Sequence, residues 1–296
     1  MLVTLDGRHG AENVGLLMAE KRGYFEDVGL RVATGSPVEP NRPLFYVNTK
    51  IDDIGIAQQP QLIAAKDRRV PVVAIGSVIS EPTAALIWLE KSDIHSLEDL
   101  KGKTIAIPGV AFQEGLLGSV LAQAGLGLED VKVKRVGYEM IPSLLTGQVD
   151  ALFGGTWNLE GAALEARGAK PVIKKVQTLG VPDYEELVLI AREDFVEEDP
   201  QLVRSFMSAV ARGTRAALED PEEAMQVVEE SNEDSPEATP ETTRAQFEAT
   251  LPLLSESGQM DSAQTDAFVK WMHAQGLVES EPQAPELLSE KFLETP

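Results

Sequence analysis

The chain alternates short runs of β-branched and other apolar residues with stretches whose apolar positions recur every three or four residues. Runs of the first kind are typical of buried strands, and stretches of the second kind are typical of amphipathic helices. The strands predicted in this way are Leu2–Leu5, Leu30–Ala33, Ile54–Ala57, Val72–Ile75, Ala84–Leu89, Thr104–Ile107, Val131–Val136, Ala151–Gly154, Pro171–Val176 and Leu187–Ala191. Helical stretches such as Val14–Lys21 and Phe112–Ala124 separate them, so the pattern predicts parallel sheets covered by helices.

From about Phe195 onwards the strand pattern gives way to helices. Asp199 and Asp220 each precede a proline, which places a capping carboxylate before a residue suited to the first helical position. The helices predicted here are Pro200–Leu218, Pro221–Glu230, Pro240–Leu251 and Ser262–Gln275. Two α/β blocks followed by helices can form two lobes with a ligand between them, and open α/β sheets bind ligands at the carboxyl ends of their strands.

The composition narrows the possible partners. With 26 basic and 48 acidic residues the chain carries a net charge of −22, so it repels phosphate backbones and we expect no nucleic-acid partner. It contains no cysteine, which excludes disulfides, thiolate metal sites and a cysteine nucleophile. No apolar run approaches the roughly 20 residues that span a bilayer. Met1 is followed directly by a predicted strand, so we expect any export signal to lie outside this sequence.

The sequence shows no motif typical of catalysis, metal binding or nucleotide binding. His9, His95 and His273 lie far apart and lack a metal-ligand spacing, so each is expected at the surface. Neither a phosphate-binding glycine loop nor a nucleophile elbow is present. We therefore predict no catalytic residue, no metal and no cofactor.

The segment Gly147–Gly161 is the candidate for binding chemistry. A buried strand there ends in Gly154 and Gly155, and glycines at such a position allow the backbone to approach a ligand closely. Trp157 and Glu160 follow, three residues apart, and would share one face of a helix. An indole can stack on a flat heteroaromatic ring while a carboxylate accepts its N–H groups. The alternative is a core tryptophan and a glutamate favoured by the helix dipole, and spacing alone slightly favours it.

Several longer segments carry a resemblance to a known family. Those shared across many solute-binding proteins are Leu5–Asp6, Gly15–Phe25, Asp53–Pro60 and Leu97–Lys103. The more specific ones are Pro108–Gln113, the GGxWNxEG run Gly154–Gly161, Gly180–Leu187 and Lys270–Met272. Through these segments, which extend over nearly the whole chain, the sequence resembles the NMT1/THI5-like periplasmic binding proteins. The resemblance is specifically to the branch that binds pyrimidine precursors of thiamine.

The resemblance implies a type II two-lobed α/β fold with a helical C-terminal region. It implies an extracytoplasmic solute-binding protein, periplasmic or lipid-anchored, that is not an enzyme. Such a protein delivers a small amino-pyrimidine, such as hydroxymethylpyrimidine or formylaminopyrimidine, to the membrane permease subunits of an ABC importer. We expect a monomer with residues 1–86 and 188–296 in lobe one and 87–187 in lobe two. The ligand cleft would lie between the lobes, which would close about the two crossing strands.

The resemblance also suggests the binding residues. In such proteins the tryptophan and glutamate of the GGxWNxEG run lie at the cleft. The residues expected to bind the ligand here are Asp6, Asn13, Gln59, Phe112, Gln113, Trp157, Asn158, Glu160 and Tyr184. The chain departs from the family pattern DWxPNxNHxG after Asp6, where glycine replaces the aromatic residue and Asn13 stands in place of histidine. One wall of the pocket is therefore altered.

Two alternatives remain open at this point. The same fold could bind another ring compound, such as a flavin, or a sulfonate, because a fold does not fix its ligand. The chain could also be an enzyme of the eukaryotic pyrimidine-synthase type, but such enzymes need an active-site histidine and a cysteine-rich motif, and this chain has no cysteine. Identifying the small molecule that co-purifies with the protein would distinguish these possibilities.

Overall fold

A computed structural model describes residues 1–40, 42–232 and 238–293. The chain divides into two compact units, with Met1–Glu81 and Tyr184–Pro296 in unit 1 and Pro82–Asp183 in unit 2. The two points at which the chain passes from one unit to the other lie a few residues before the boundaries expected from the sequence. The reason is that the strand Ala84–Leu89 pairs only with strands of unit 2, and Leu187–Arg192 pairs only with strands of unit 1. The chain therefore crosses in the loops before these strands.

Each unit contains one five-stranded sheet. The strands are β1 Leu2–Thr4, β2 Ala33–Gly35, β3 Ile54–Gln58, β4 Val72–Ile79, β5 Ala84–Leu89, β6 Thr104–Ile107, β7 Lys132–Arg135, β8 Ala151–Thr156, β9 Pro171–Lys175 and β10 Leu187–Arg192. Their order is β2-β1-β3-β10-β4 in unit 1 and β7-β6-β8-β5-β9 in unit 2. Every predicted strand is present, although β2 begins three residues later than expected.

The prediction of parallel sheets is confirmed for part of each sheet, but one strand in each runs in the opposite direction. In unit 1, β1 runs parallel to β2 and β3, but β10 is antiparallel to β3 and β4. In unit 2, β6 runs parallel to β7 and β8, but β5 is antiparallel to β8 and β9. Both reversed strands are completely buried, so they appear in the sequence as continuous apolar runs, and such a run does not reveal the direction of its strand.

Helices cover the sheets and form the C-terminal region. They are α1 Val14–Lys21, α2 Tyr24–Asp27, α3 Pro43–Asn48, α4 Gln59–Asp67, α5 Ala111–Ala122, α6 Met140–Leu145, α7 Ala162–Ala166, α8 Glu193–Glu198, α9 Pro200–Glu219, α10 Pro221–Ser231, α11 Pro240–Thr250, α12 Ser262–Ala274 and α13 Ala284–Leu287. The predicted caps are confirmed, because the Asp199 and Asp220 carboxylates accept the backbone N–H groups of Leu202 and Glu223. The four predicted C-terminal helices match α9 to α12 within one residue at each end.

Helix α9 packs directly on α1, which fixes the C-terminal region to unit 1. A Cβ atom at Gly213 would lie 2.0 Å from the carbonyl oxygen of Gly15 and 2.7 Å from the amide nitrogen of Ala19. Only glycine therefore allows this approach of the two backbones. Apolar side chains of α1, α9 and α10, including Met18 and Ala217, form a buried cluster around the contact.

Candidate functional site

The two sheets place polar residues at the carboxyl ends of their strands. In unit 1, Leu187 at the start of β10 pairs with Gln58 at the end of β3, so β10 begins where β3 ends. Asp6 follows β1, which runs parallel to β3. As a result Asp6, Gln58 and Glu186 lie at the same end of the unit 1 sheet.

Glu186 is the buried centre of this group and is only 1% exposed. Its carboxylate accepts hydrogen bonds from Gln58 Nε2 at 2.9 Å and from the Tyr184 hydroxyl at 3.1 Å. Burial, and to a smaller extent the negative charge of Glu186, raises the pKa of Asp6 to about 7. Near neutral pH the Asp6 carboxyl therefore exists in both protonation states, and it can donate as well as accept a hydrogen bond.

A second buried carboxylate, Glu185, holds the same segment in place. It accepts hydrogen bonds from Ser77 Oγ at 2.6 Å and from the backbone N–H of Asp261 at 3.3 Å. Burial raises the pKa of Glu185. Glu185 and Glu186 belong to the segment Gly180–Leu187, which resembles the family, but neither was predicted as a site residue. Their signal was a pair of charged residues directly before an apolar strand.

Gln59 and Tyr184 lie in the interior of unit 1. Gln59 is fully buried, and its amide donates to Thr265 Oγ1 and accepts from the Glu185 N–H, each at 3.0 Å. The Tyr184 ring is 1% exposed and stacks on Phe268 with 4.6 Å between centroids. Both side chains therefore position the segment that carries Glu186, and their direct contact with a ligand stays a prediction.

Asn13 shapes the loop that follows β1. Its Oδ1 accepts the N–H of Gly10 at 3.0 Å and its Nδ2 donates to the carbonyl of Arg8 at 3.2 Å. The side chain is 3% exposed. Asn13 thus fixes the course of the backbone between Asp6 and α1, and its contact with a ligand also stays a prediction.

The unit 2 sheet has an equivalent arrangement. Because β6 and β8 are parallel, the residues that follow them emerge at the same end of the sheet. Phe112 and Gln113 open α5 after β6, and Trp157 follows β8. Phe112 is half-buried, whereas Gln113 is buried. The structure therefore brings the predicted residues of unit 2 together at the carboxyl end.

The glycines at the end of β8 have a structural role. Gly154 has a positive φ of 74°, and a Cβ atom there would lie 2.8 Å from Gln113 Nε2. A Cβ atom at Gly155 would lie 3.2 Å from Met140 Cε. Protein side chains thus fill the space beside both glycines, contrary to the expectation that this space is open to a ligand.

Trp157 is half-buried and held from several sides. Its Nε1 donates to the carbonyl of Pro82 at 3.3 Å, and its backbone N–H donates to the carbonyl of Thr83 at 2.9 Å. The ammonium of Lys175 lies 3.6 Å from the ring centroid. Gln177, which the sequence analysis missed, donates to the same Pro82 carbonyl at 3.3 Å. The indole is therefore fixed in orientation, and a cation covers one of its faces.

The turn that carries Trp157 is a single π-helical turn, Trp157–Gly161, which continues into α7. This turn is wider than an α-helix, so the expectation that Trp157 and Glu160 share a helical face because they are three residues apart does not apply. Asn158, in the same turn, is fully buried. π-helical turns are rare and are found frequently at functional sites.

Glu160 caps this turn. Its Oε2 accepts the backbone N–H of Thr156 at 2.6 Å and the Thr156 hydroxyl at 3.2 Å, while Thr156 Oγ1 accepts the N–H of Leu159 at 3.3 Å. Glu160 thus lies in the first turn, as the alternative interpretation expected, and it caps that turn through hydrogen bonds. A carboxylate offers about four acceptor positions, so capping does not exclude a second role.

Two kinds of feature were looked for in the part of the chain that the structure describes: clusters of metal-ligating side chains and helices able to cross a membrane. Across residues 1–40, 42–232 and 238–293, no three His, Cys, Asp or Glu side chains are grouped as metal ligands. Within those same ranges, no helix combines the length and the apolar character needed to cross a membrane.

Comparison with known proteins places the chain among its relatives. The family described as "NMT1/THI5 like" matches residues 11–224, more than two thirds of the chain. The chain belongs to this family. A putative thiamine biosynthesis protein of Haemophilus influenzae is 30% identical over 277 residues, which cover 93% of this chain and 87% of the relative. A formylaminopyrimidine-binding protein of Halalkalibacterium halodurans is 30% identical over 295 residues, which cover 97% and 88%.

Family members with an enzyme name and solved structures complete the comparison. The 4-amino-5-hydroxymethyl-2-methylpyrimidine phosphate synthase of Schizosaccharomyces pombe is 27% identical over 249 residues, or 81% of this chain and 71% of that one. The alkanesulfonate-binding protein SsuA of Xanthomonas axonopodis has a TM-score of 0.76 at 19% identity, with 97% of each chain covered. The likeness confirms the α/β fold of the periplasmic binding proteins.

Proposed function

We propose that this protein is the extracytoplasmic solute-binding component of an ABC importer and that it binds a small amino-pyrimidine precursor of thiamine. The observation that carries the proposal is the set of carboxyl groups at the carboxyl ends of both sheets. Asp6 and Glu186 lie there in unit 1, and Glu160 lies beside Trp157 in unit 2. The name of the Halalkalibacterium relative, which the chain matches over 97% of its length, supports the same class of ligand.

The carboxyl groups complement the edge of an amino-pyrimidine. Such an edge presents an exocyclic amine, which donates, next to a ring nitrogen, which accepts. A protonated carboxyl group can donate to the ring nitrogen and accept from the amine at the same time. Because the pKa of Asp6 is raised to about 7, Asp6 can take this form close to neutral pH. We propose that the residues of both units contribute to binding.

A sulfonate fits this arrangement less well, although SsuA has the same fold. A sulfonate is anionic and accepts hydrogen bonds, so it requires donors and positive charge. The polar groups at the carboxyl end of the unit 1 sheet include Asp6 and Glu186. Since like charges repel, this end of the sheet disfavours a sulfonate and favours a neutral ligand that donates N–H groups.

The synthase names among the relatives raise the enzyme alternative. The chain has no cysteine, and we assign no catalytic role to any of its residues. We propose that the protein acts by binding alone, as a monomer that delivers its ligand to the permease subunits of the importer.

Calorimetry and thermal unfolding with a ligand panel test the proposal. The panel contains hydroxymethylpyrimidine, formylaminopyrimidine, flavin mononucleotide and the sulfonate MOPS. A ligand at 100 times its Kd should stabilise the folded protein by about 2.7 kcal/mol, and we expect this only for the pyrimidines. Binding of MOPS or the flavin without binding of either pyrimidine would overturn the proposal.

A further inference from the structure

Lys175 ends strand β9 at the same end of the unit 2 sheet as Trp157. At the start of β5, Ala84 lies opposite Thr156 of β8, and the next residue lies opposite Lys175 of β9. Because β5 is antiparallel to both neighbours, β8 and β9 run in the same direction and their carboxyl ends lie on either side of the start of β5. Trp157 directly follows β8 there, so both side chains belong to the end at which open α/β sheets bind ligands.

The Lys175 ammonium covers one face of the Trp157 indole. Its Nζ lies 3.6 Å from the ring centroid, and the residue is exposed. The indole packs against an apolar cluster of unit 2, and Ile173 packs against the same cluster. Ile173 and Lys175 are two residues apart on β9, so their side chains lie on the same side of the sheet. Since the indole already contacts the cluster, the ammonium covers the side of the ring that solvent would otherwise reach.

The ring is fixed, whereas its cover can move. Hydrogen bonds to the carbonyl groups of Pro82 and Thr83 hold Trp157 through its Nε1 and its backbone N–H. The Lys175 ammonium lies at the end of a flexible four-carbon stem and is strongly hydrated when it reaches water. A flat ring that approaches this end of the sheet therefore meets an immobile indole under a movable cation.

The relative strengths of the two contacts decide which group occupies the indole face. A cation over an exposed aromatic ring changes an equilibrium constant by a factor of about 2 to 5, whereas a stacked heteroaromatic ring contributes a factor of about 5 to 150. A flat heteroaromatic ligand can therefore displace the ammonium, which returns to water. A solute without a flat ring gains too little from the indole to do so.

We infer that Lys175 is a specificity-determining residue: in the free protein its ammonium occupies the face of Trp157 on which the ligand stacks, and only a flat ring displaces it. The inference rests on the proposed function and adds to it a contact that the ligand must break. The alternative is that the ammonium covers a face of the indole that no ligand reaches, and that it only stabilises unit 2.

Lys175→Ala removes the cover and leaves the indole in place. It should tighten the binding of hydroxymethylpyrimidine by a factor of about 2 to 5, because the ligand no longer has to displace the ammonium. Lys174→Ala is the matched control, since Lys174 is also exposed but its side chain lies on the opposite side of β9, and its affinity should stay unchanged. The melting temperature of Lys175→Ala should fall slightly, so a gain in affinity could not come from a general gain in stability.

A double-mutant cycle tests whether Lys175 acts through the indole. Once the indole is absent, removing the ammonium should have no effect on binding. Calorimetry on the full chain should therefore give the same Kd for Trp157→Ala and for the double variant Trp157→Ala/Lys175→Ala.

A second measurement uses the unmodified sequence, so it does not depend on the folding of any variant. In protein that contains isotopically labelled lysine, the ring current of Trp157 should displace the NMR signal of the Lys175 ε-CH2 group, which is assigned by its absence in Lys175→Ala. Addition of hydroxymethylpyrimidine should move this signal towards the position of an ordinary exposed lysine. The Lys174 signal should stay in place.

The outcomes distinguish the inference from the proposed function. If hydroxymethylpyrimidine binds but Lys175→Ala has the same affinity as the unmodified protein or a lower one, the inference fails and the proposed function stands. The same holds if the Lys175 signal does not move when the ligand saturates the protein. If neither hydroxymethylpyrimidine nor formylaminopyrimidine binds to the unmodified protein, both fail together.

Discussion

Replacing Trp157 with alanine tests whether its indole binds the ligand or only packs in unit 2. The side chain is half-buried against an apolar cluster, donates to the Pro82 carbonyl and lies beneath the Lys175 ammonium. A fully buried tryptophan costs about 3–5 kcal/mol when truncated to alanine. Because Trp157 is only half-buried, we expect the free energy of unfolding to fall by about 2–3 kcal/mol.

The effect of Trp157→Ala on binding should be separate from this loss of stability. Stacking of a ring on an aromatic side chain contributes about 1–3 kcal/mol, and about 1.4 kcal/mol changes Kd tenfold. We therefore expect the Kd for hydroxymethylpyrimidine to rise by a factor of about 5 to 150. Trp157→Phe keeps a ring and loses the bond to Pro82, so its affinity should stay within a few-fold.

Circular dichroism in urea gives the stability of these variants, and calorimetry gives their affinity. Trp271→Ala is the matched control, because Trp271 is also half-buried in a ring stack, 5.6 Å from Phe268, but lies in the last turn of helix α12. It should lower stability and leave Kd unchanged. If Trp157→Ala lowers stability with an unchanged Kd, the indole is a packing residue and the stacking argument is refuted.

Three further substitutions extend the test to charge. Glu160→Gln should weaken binding of an amino-pyrimidine by about 1–3 kcal/mol in calorimetry. Binding of the oxo analogue should barely change, because the glutamine amide can donate to a carbonyl. Equal losses for the two ligands would show that Glu160 only caps its turn. Lys175→Met should lower the free energy of unfolding in urea by about 0.5–1 kcal/mol, because it removes the cation from the face of Trp157. The control Lys174→Met, on the opposite face of β9, should leave the free energy of unfolding unchanged. Equal losses for the two variants would contradict this prediction. Asp6 has a raised pKa in the folded protein, so the folded state holds its proton more tightly and stability should fall as pH rises from about 4 to 7. Asp6→Asn should flatten that part of the pH profile, and an identical slope in both proteins would argue against the raised pKa.

Much of the fold was predictable because its elements depend on local patterns. The apolar runs located all ten strands, and Asp199 and Asp220 before prolines marked the starts of α9 and α10. The antiparallel direction of β5 and β10 was not predictable, since it depends on which unit the chain enters after each crossing. That choice is made by long-range contacts and leaves no periodic signal.

The positions of the candidate residues could be predicted, but their local geometry could not. Trp157 and Glu160 were predicted as binding residues because a glycine pair and a tryptophan follow a buried strand. Their π-helical turn was missed because π and α turns share the same apolar pattern over five residues. The half-burial of His9 was not predicted, because it depends on the hydroxyl group of Thr34 in β2, 25 residues away in sequence.

Asp6 and Glu186 share the carboxyl end of the unit 1 sheet, and their proximity bears on what this end can bind. Burial and the charge of Glu186 raise the pKa of Asp6, which means that the ionised pair opposes folding near neutral pH. A ligand that donates N–H groups relieves the repulsion, and an anionic ligand increases it. We therefore expect the arrangement to disfavour sulfonates through repulsion as well as to favour amines through hydrogen bonds. Such selection needs Asp6 and Glu186 together, so removing either carboxyl group should relax discrimination against anions as well as weaken binding of the pyrimidine.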